Sequence, residues 1–117
     1  MPTATLLQAA RETLTAVLAA LAIPDVAVLG FEPPTLARGT TVTVSSAGVE
    51  PTEWVLAVRV YVNGIQPAEA QDTLDQVVVQ VDAGLTHVPR SEWGFEWDDA
   101  RTAFVATTTV QYPREDF

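Results

Sequence analysis

Few residues in this chain could do chemistry. His87 is the only histidine among 117 residues, and there is no cysteine. A general base needs a positioned partner, and no Ser or Cys stands around His87 in a recognisable nucleophile motif. At the end of a predicted helix, His87 reads as a surface or capping residue, because a positive imidazole suits the negative end of the helix dipole. Glu96, Asp98 and Asp99 carry the oxygen ligands that Ca²⁺ and Mg²⁺ take, but their spacing matches no EF-hand loop. Acids at a hairpin tip read instead as solvated turn residues. Gly30, Gly39, Gly48, Gly64, Gly84 and Gly94 stand singly, so there is no glycine-rich loop to cradle a phosphate. The lack of cysteine excludes a disulfide framework, a thiolate metal site and a cysteine nucleophile. No zinc spacing, catalytic triad or nucleotide fingerprint is present. The sequence therefore predicts a protein that is not an enzyme, with no catalytic, metal or cofactor-binding residue and no cofactor.

Charge narrows the partners. Fifteen acids face six bases, giving −9, and every base is an arginine. Such an excess of acid repels phosphate and anionic lipid, which argues against specific nucleic-acid or membrane binding. Trp54, Trp93 and Trp97 could stack on bases, as aromatics do in single-strand binders. Nucleic-acid sites also need basic neighbours, and each tryptophan falls on the apolar face of its strand, so core packing is the reading favoured. Apolar residues make up 48% and charged residues 18%, enough to bury one core. Residues 1–117 are expected to form a single domain. Leu6 to Ile23 is interrupted by Gln8, Arg11, Glu12 and Thr13, too polar for a membrane span and wrong for a signal peptide. A cytosolic protein is the expectation.

The elements that must position these residues follow from periodicity. Leu6, Leu7, Ala10, Leu14, Val17, Leu18 and Leu21 form a helical stripe over residues 3–22, which Pro24 ends. Val26–Leu29 is a short strand, and Gly30 to Gly39 is a loop, since Pro33 and Pro34 cannot feed a sheet ladder. Thr40–Ser46 and Glu53–Val62 are strands. Within the second, Trp54, Leu56, Val58, Val60 and Val62 share one face, while Val55, Ala57, Arg59 and Tyr61 share the other. Pro67 suits the first turn of a second helix, whose stripe is Leu74, Val77, Val78, Val81 and Leu85. The last segment reads as a hairpin, pairing Trp97 with Thr102, Phe95 with Phe104 and Trp93 with Ala106. On that register Trp93, Phe95 and Phe104 pack against a helix, with Phe104 fully buried. The expected fold class is α+β, order α-β-β-β-α-β-β: a mixed or antiparallel sheet of about five strands with two helices packed on one face.

Arg59, mid-strand between Ala57 and Tyr61, makes the second face neither an ordinary core nor an ordinary solvent surface. Val79 points away from its own helical stripe. Arg38 lies in the loop, and ten residues without regular structure often mark a contact element in so small a domain. Arg and aromatic residues are enriched in interfaces, so Arg38, Arg59, Tyr61 and Val79 are the candidate subunit-interface residues.

The layout resembles a known family. An amphipathic helix ends in Leu21-Ala22-Ile23-Pro24-Asp25, and Phe31-Glu32-Pro33-Pro34 precedes a valine-threonine strand. Then come the Trp54–Val62 strand, a helix with Ala70, Leu74, Asp75 and Val78, and a final hairpin. This is similar to the tail terminator proteins of long-tailed bacteriophages and, more broadly, to the neck proteins that join head to tail. The resemblance implies a tail-terminator-like domain and a virion structural protein made in the host cytoplasm. Copies of itself would form a ring, typically of six, that caps the tail tube and meets the head connector or head-closure protein. It transfers no catalytic residue. Six copies would together carry −54, six times −9, which repels rather than grips DNA passing through the ring. Two alternatives stay open: another neck or tail subunit, of head-closure or tube-like kind, and a small non-enzymatic ligand-binding or regulatory module.

The charge yields a direct test. Titrating duplex DNA at physiological salt is expected to give no binding tighter than about micromolar, and salt-sensitive binding tighter than that would overturn the reading.

Overall fold

The computed structural model describes residues 3–37, 39–63 and 67–114. Two helices, α1 (Thr3–Ala19) and α2 (Pro67–Gly84), accompany five strands. The strands are β1 (Val26–Leu29), β2 (Gly39–Val49), β3 (Glu53–Asn63), β4 (Gly94–Asp98) and β5 (Ala103–Pro113). They form one mixed sheet in the order β1-β2-β3-β5-β4, an α+β fold in the predicted sequence of elements. Only β1 and β2 are parallel; the other neighbours are antiparallel.

Strand β3 sits at the centre and explains the two-sidedness. Its apolar alternation sends Trp54, Leu56, Val58, Val60 and Val62 to the helices, and all five are buried. There they meet Leu14 and Leu18 of α1, and Ala70, Leu74, Val77, Val78, Val81 and Leu85 of α2. Burying a full leucine or valine side chain contributes about 1.5–3 kcal/mol, so this layer is the main stabilising term. The turn after α1 meets α2 where Gly84 lies under Leu21: a Cβ on Gly84 would come within 2.7 Å of the Leu21 side chain.

The parallel pairing of β1 with β2 has a consequence for the opposite face. Parallel neighbours cannot be joined by a tight hairpin, so the chain must run back along the sheet. With both helices on one face, the connecting segment after Gly30 crosses to the other, where Glu32, Pro33 and Leu36 make their contacts.

Three expectations are corrected at the element ends. Helix α1 stops at Ala19 rather than residue 22, because the backbone tightens into i→i+3 hydrogen bonds at Leu21 and Ala22 and turns left-handed at Ala22, φ 51°. Strand β2 continues to Val49 through an irregularity between Ser46 and Gly48. The final hairpin is shifted by two residues, with Trp97 opposite Phe104 and Phe95 opposite Ala106. The turn is as long as expected but lies one residue later in the chain. Asp98 accepts from the Arg101 amide at 3.1 Å, Thr102 adopts φ 53°, and pairing starts only at Asp98 with Ala103. An even shift preserves the faces, so the in–out pattern survives while the partners change.

The hairpin is also less buried than expected. Phe104 is only partly buried, and Phe95 and Trp97 are 51% and 48% exposed although they lie on the helix side. The core reading holds for Trp54 and in part for Trp93, which packs against the helical layer. It fails for Trp97.

Leu56 has no exposed surface. Leu56→Ala is expected to cost about 2–5 kcal/mol in urea unfolding, whereas Val79→Ser should change monomer stability by no more than about 0.5 kcal/mol.

Candidate functional site

The second face of the sheet is built around one carboxylate. Glu32, in the segment after β1, reaches over β2 and β3. It accepts hydrogen bonds from Thr43, from Arg59 Nη1 at 3.0 Å and from the Tyr61 hydroxyl at 2.8 Å. Arg59 also donates to Ser45 at 3.1 Å, and Arg101 Nη2 lies 3.9 Å from Glu32. The register makes this possible, since Thr43 is opposite Arg59 and Thr41 is opposite Tyr61. Arg101, in the β4–β5 turn, donates to the Pro33 carbonyl at 3.0 Å and to Asp98 at 2.9 Å. Its guanidinium lies 5.5 Å from the centre of the Tyr61 ring. Farther along, Asn63 donates to the Leu36 carbonyl at 3.3 Å, and Leu36 packs on Tyr61, Ala103 and Val105.

The electrostatics follow from these contacts. Burial pushes the Glu32 carboxyl up, but hydrogen bonds from Thr43, Tyr61 and Arg59, with the charge of Arg59, outweigh it and hold Glu32 below the usual carboxylate range. Burial and the Glu32 carboxylate push the Tyr61 phenol well above its ordinary value, so it stays a protonated donor. A hollow of about 280 Å³ opens beside these groups, bordered also by Glu96, Asp98 and Arg101. Its chemistry is that of a lock. Thr43 is fully buried, Glu32 is too weak a base to activate it, and both arginines already face carboxylates.

A second feature lies at the far edge. Asp82 of α2 accepts from Arg90 Nε at 2.6 Å, Arg90 Nη2 at 3.0 Å and Trp93 Nε1 at 3.0 Å. Hydrogen bonds from Arg90 and Trp93 hold its carboxyl at about 2. This junction ties the chain just before β4 to the last turns of α2. Beyond it, β4 runs out from under the helix, and Phe95 and Trp97 stand half in solvent. Trp97 packs edge-on against Phe104, ring centres 4.9 Å apart, and donates to Asp99 at 2.7 Å. Gln71 and Leu74 of α2 face these aromatics across a hollow of about 220 Å³.

The sequence candidates divide between these regions. Arg59 and Tyr61 come together around Glu32, but inside the chain: Tyr61 is 2% exposed and the Arg59 side chain 33%. Val79 is on the helix side and 69% exposed. It lies one turn before Asp82 on α2 and points away from the buried stripe of that helix. Arg38 lies outside the described residues. The loop predicted from Gly30 to Gly39 lies on its own sheet through Glu32, Pro33 and Leu36, with Phe31 58% exposed. His87 is exposed in the turn after α2, and Asp98 and Asp99 are engaged by Arg101 and Trp97. Among the described residues no group of three or more His, Cys, Asp or Glu could hold a metal ion. No helix there is long and apolar enough to cross a membrane.

Sequence reasoning missed Glu32 and the exposure of Phe95 and Trp97. A mid-strand arginine on a sheet face does signal a carboxylate partner, but not which of fifteen. No protein-family profile matches the chain, and no curated protein matches it.

Glu32→Gln is expected to lower stability at pH 7 by about 1.5–3 kcal/mol, the range for hydrogen bonds to a charged group. Since folding lowers the Glu32 pKa, its contribution is complete above the unfolded value of about 4.3 and is lost as pH falls through the lower folded value. Urea midpoints of the two proteins should therefore differ at pH 7 and converge in acid.

Proposed function

We propose that the chain is a structural subunit that assembles head to tail into a ring, as a phage tail terminator does. The ring would cap the tail tube in the virion neck and meet the head connector. The observation that carries this reading is the pair Phe95 and Trp97, two half-exposed aromatics on one outer strand; Phe31, in the segment after β1, is also exposed, at 58%. A buried aromatic removes about 150–250 Å² from water, so two on one edge are a strong drive to association. Together they form an apolar patch on one edge of a molecule that carries −9 overall. Such patches mark contact sites on small proteins.

An outer strand meeting a different surface of the next copy makes a heterologous contact, which closes into a ring when the rotation fits. The Glu32 lock supports the same reading by giving a rigid second face on which a ring can be built. Charge complementarity inside the polar hollow argues against its serving as a ligand pocket, which weakens the binding-module alternative. The acidic surface supports a ring through which a duplex passes without being held.

Native mass spectrometry and electron microscopy of the purified chain, alone and with polymerised tail tubes, test the proposal. A closed ring of about six copies, free or on tube ends, is the expected result. A single-chain mass at high concentration together with no binding to tubes would overturn it.

A further inference from the structure

The aromatic edge has a counterpart on the opposite edge of the same sheet. Among the described residues, both outer strands, β1 and β4, have one side without a strand partner. Side-chain rows cross all five strands between them on the helix face. One row runs Val28, Val42, Val60, Ala106, Phe95, and the next runs Val26, Thr40, Val62, Phe104, Trp97. The two exposed aromatics therefore stand at one end of the rows whose other end is Val26 and Val28. Beside those valines lies an apolar hollow of about 160 Å³, lined by Leu18, Ala19, Ala22, Ile23, Val26 and Val28.

We infer that β4 of one copy pairs with β1 of the next, continuing the sheet across the subunit boundary; this rests on the ring reading and names the contact that builds it. Direction agrees. Strands β1, β2 and β5 run one way and β3 and β4 the other, so β4 meets the next copy's β1 antiparallel, the commoner pairing. Continuing the rows sets the register: Phe95 opposite Val28, Glu96 opposite Ala27 and Trp97 opposite Val26. Phe95 and Trp97 then enter the hollow under the end of α1, on the face where the core already lies.

Edge strands that must stay unpaired are usually guarded by charge, proline or a bulge. Val26-Ala27-Val28-Leu29 has none of these. On β4, Asp98 is already matched by Arg101 at 2.9 Å, and Glu96 points to the other face, opposite the small, exposed Ala27. The contact joins different surfaces of the two copies, so each chain has one donor edge and one acceptor edge.

The absence of native cysteine makes a clean test possible. Ala27→Cys and Glu96→Cys proteins, mixed and oxidised or treated with a short bis-maleimide, should give a covalent dimer. Neither alone should, nor should Ala27→Cys mixed with Thr86→Cys. The double variant Ala27→Cys/Glu96→Cys should give a ladder ending at the ring number. Phe95→Glu should weaken self-association by about tenfold or more, because it buries a charge in the contact, while its circular dichroism stays that of wild type. A ring that assembles without the Ala27–Glu96 cross-link, or that tolerates Phe95→Glu, overturns this edge pairing and leaves the ring reading standing. A chain that gives neither ring nor cross-link overturns both.

Discussion

The carboxylate of Glu32, held by Thr43, Tyr61 and Arg59, is the contact on which the second face of the sheet depends. Two helices cover one face of five strands, and among the described residues there is no third to cover the other. Residues such as Ala57, Tyr61, Ala103 and Val105 are nonetheless buried there. They are sheltered by an eight-residue segment whose Pro33 is buried and whose Leu36 packs on Tyr61, Ala103 and Val105. Glu32 ties that segment down by accepting from two strands at once. Arg101 seconds it, gripping the Pro33 carbonyl from the β4–β5 turn. Removing the carboxylate would strand a guanidinium and a phenol on a partly dry surface, which is why a single interaction matters so much.

That arrangement explains what was legible in the sequence. Strand β3 and helix α2 could be bounded closely because their burial is periodic and their ends carry Asn63 and Pro67, local signals that no distant contact overrides. The anomaly of Arg59 was also legible, since a charged residue between Ala57 and Tyr61 on a sheet needs a partner. Its solution was not. Glu32 lies 27 residues earlier in a proline-containing segment, and periodicity says nothing about where such a segment folds. The hairpin failed differently. A turn closed at Asp98 and a turn closed at Trp97 both keep the aromatics on one face, so alternation alone cannot choose between them. The choice is made by the Asp98 side chain capping Arg101 and by the left-handed Thr102.

The same limit hid the exposure of Phe95 and Trp97. Alternation assigns a side chain to a face, whereas burial depends on whether another element extends over it. Helix α2 covers β3 and β5, and the Asp82–Arg90–Trp93 junction holds the chain close to it only as far as β4 begins. The next two aromatics on that face project past the helix. A core residue and a contact residue thus have the same sequence signature here, and only the width of the helical layer separates them.

Width also bears on how an acidic chain could join copies of itself. Fifteen acids distributed over 117 residues make most approaches between two copies repulsive. An attractive contact must therefore use the parts of the surface where charge is sparse or already matched. Strand β1 carries no charged residue, and the acid of β4 nearest its turn is matched by Arg101. The remaining acid on that strand, Glu96, stays on the polar face and can keep water. Apolar rows that run off both edges of the sheet at the same level make a contact there register-specific: sliding by one residue would turn Phe95 and Trp97 to the polar face, and sliding by two would leave one of them without a valine opposite. The acidity that forbids most contacts and the rows that specify one act together, and both are consequences of how few elements this chain uses to cover a five-stranded sheet.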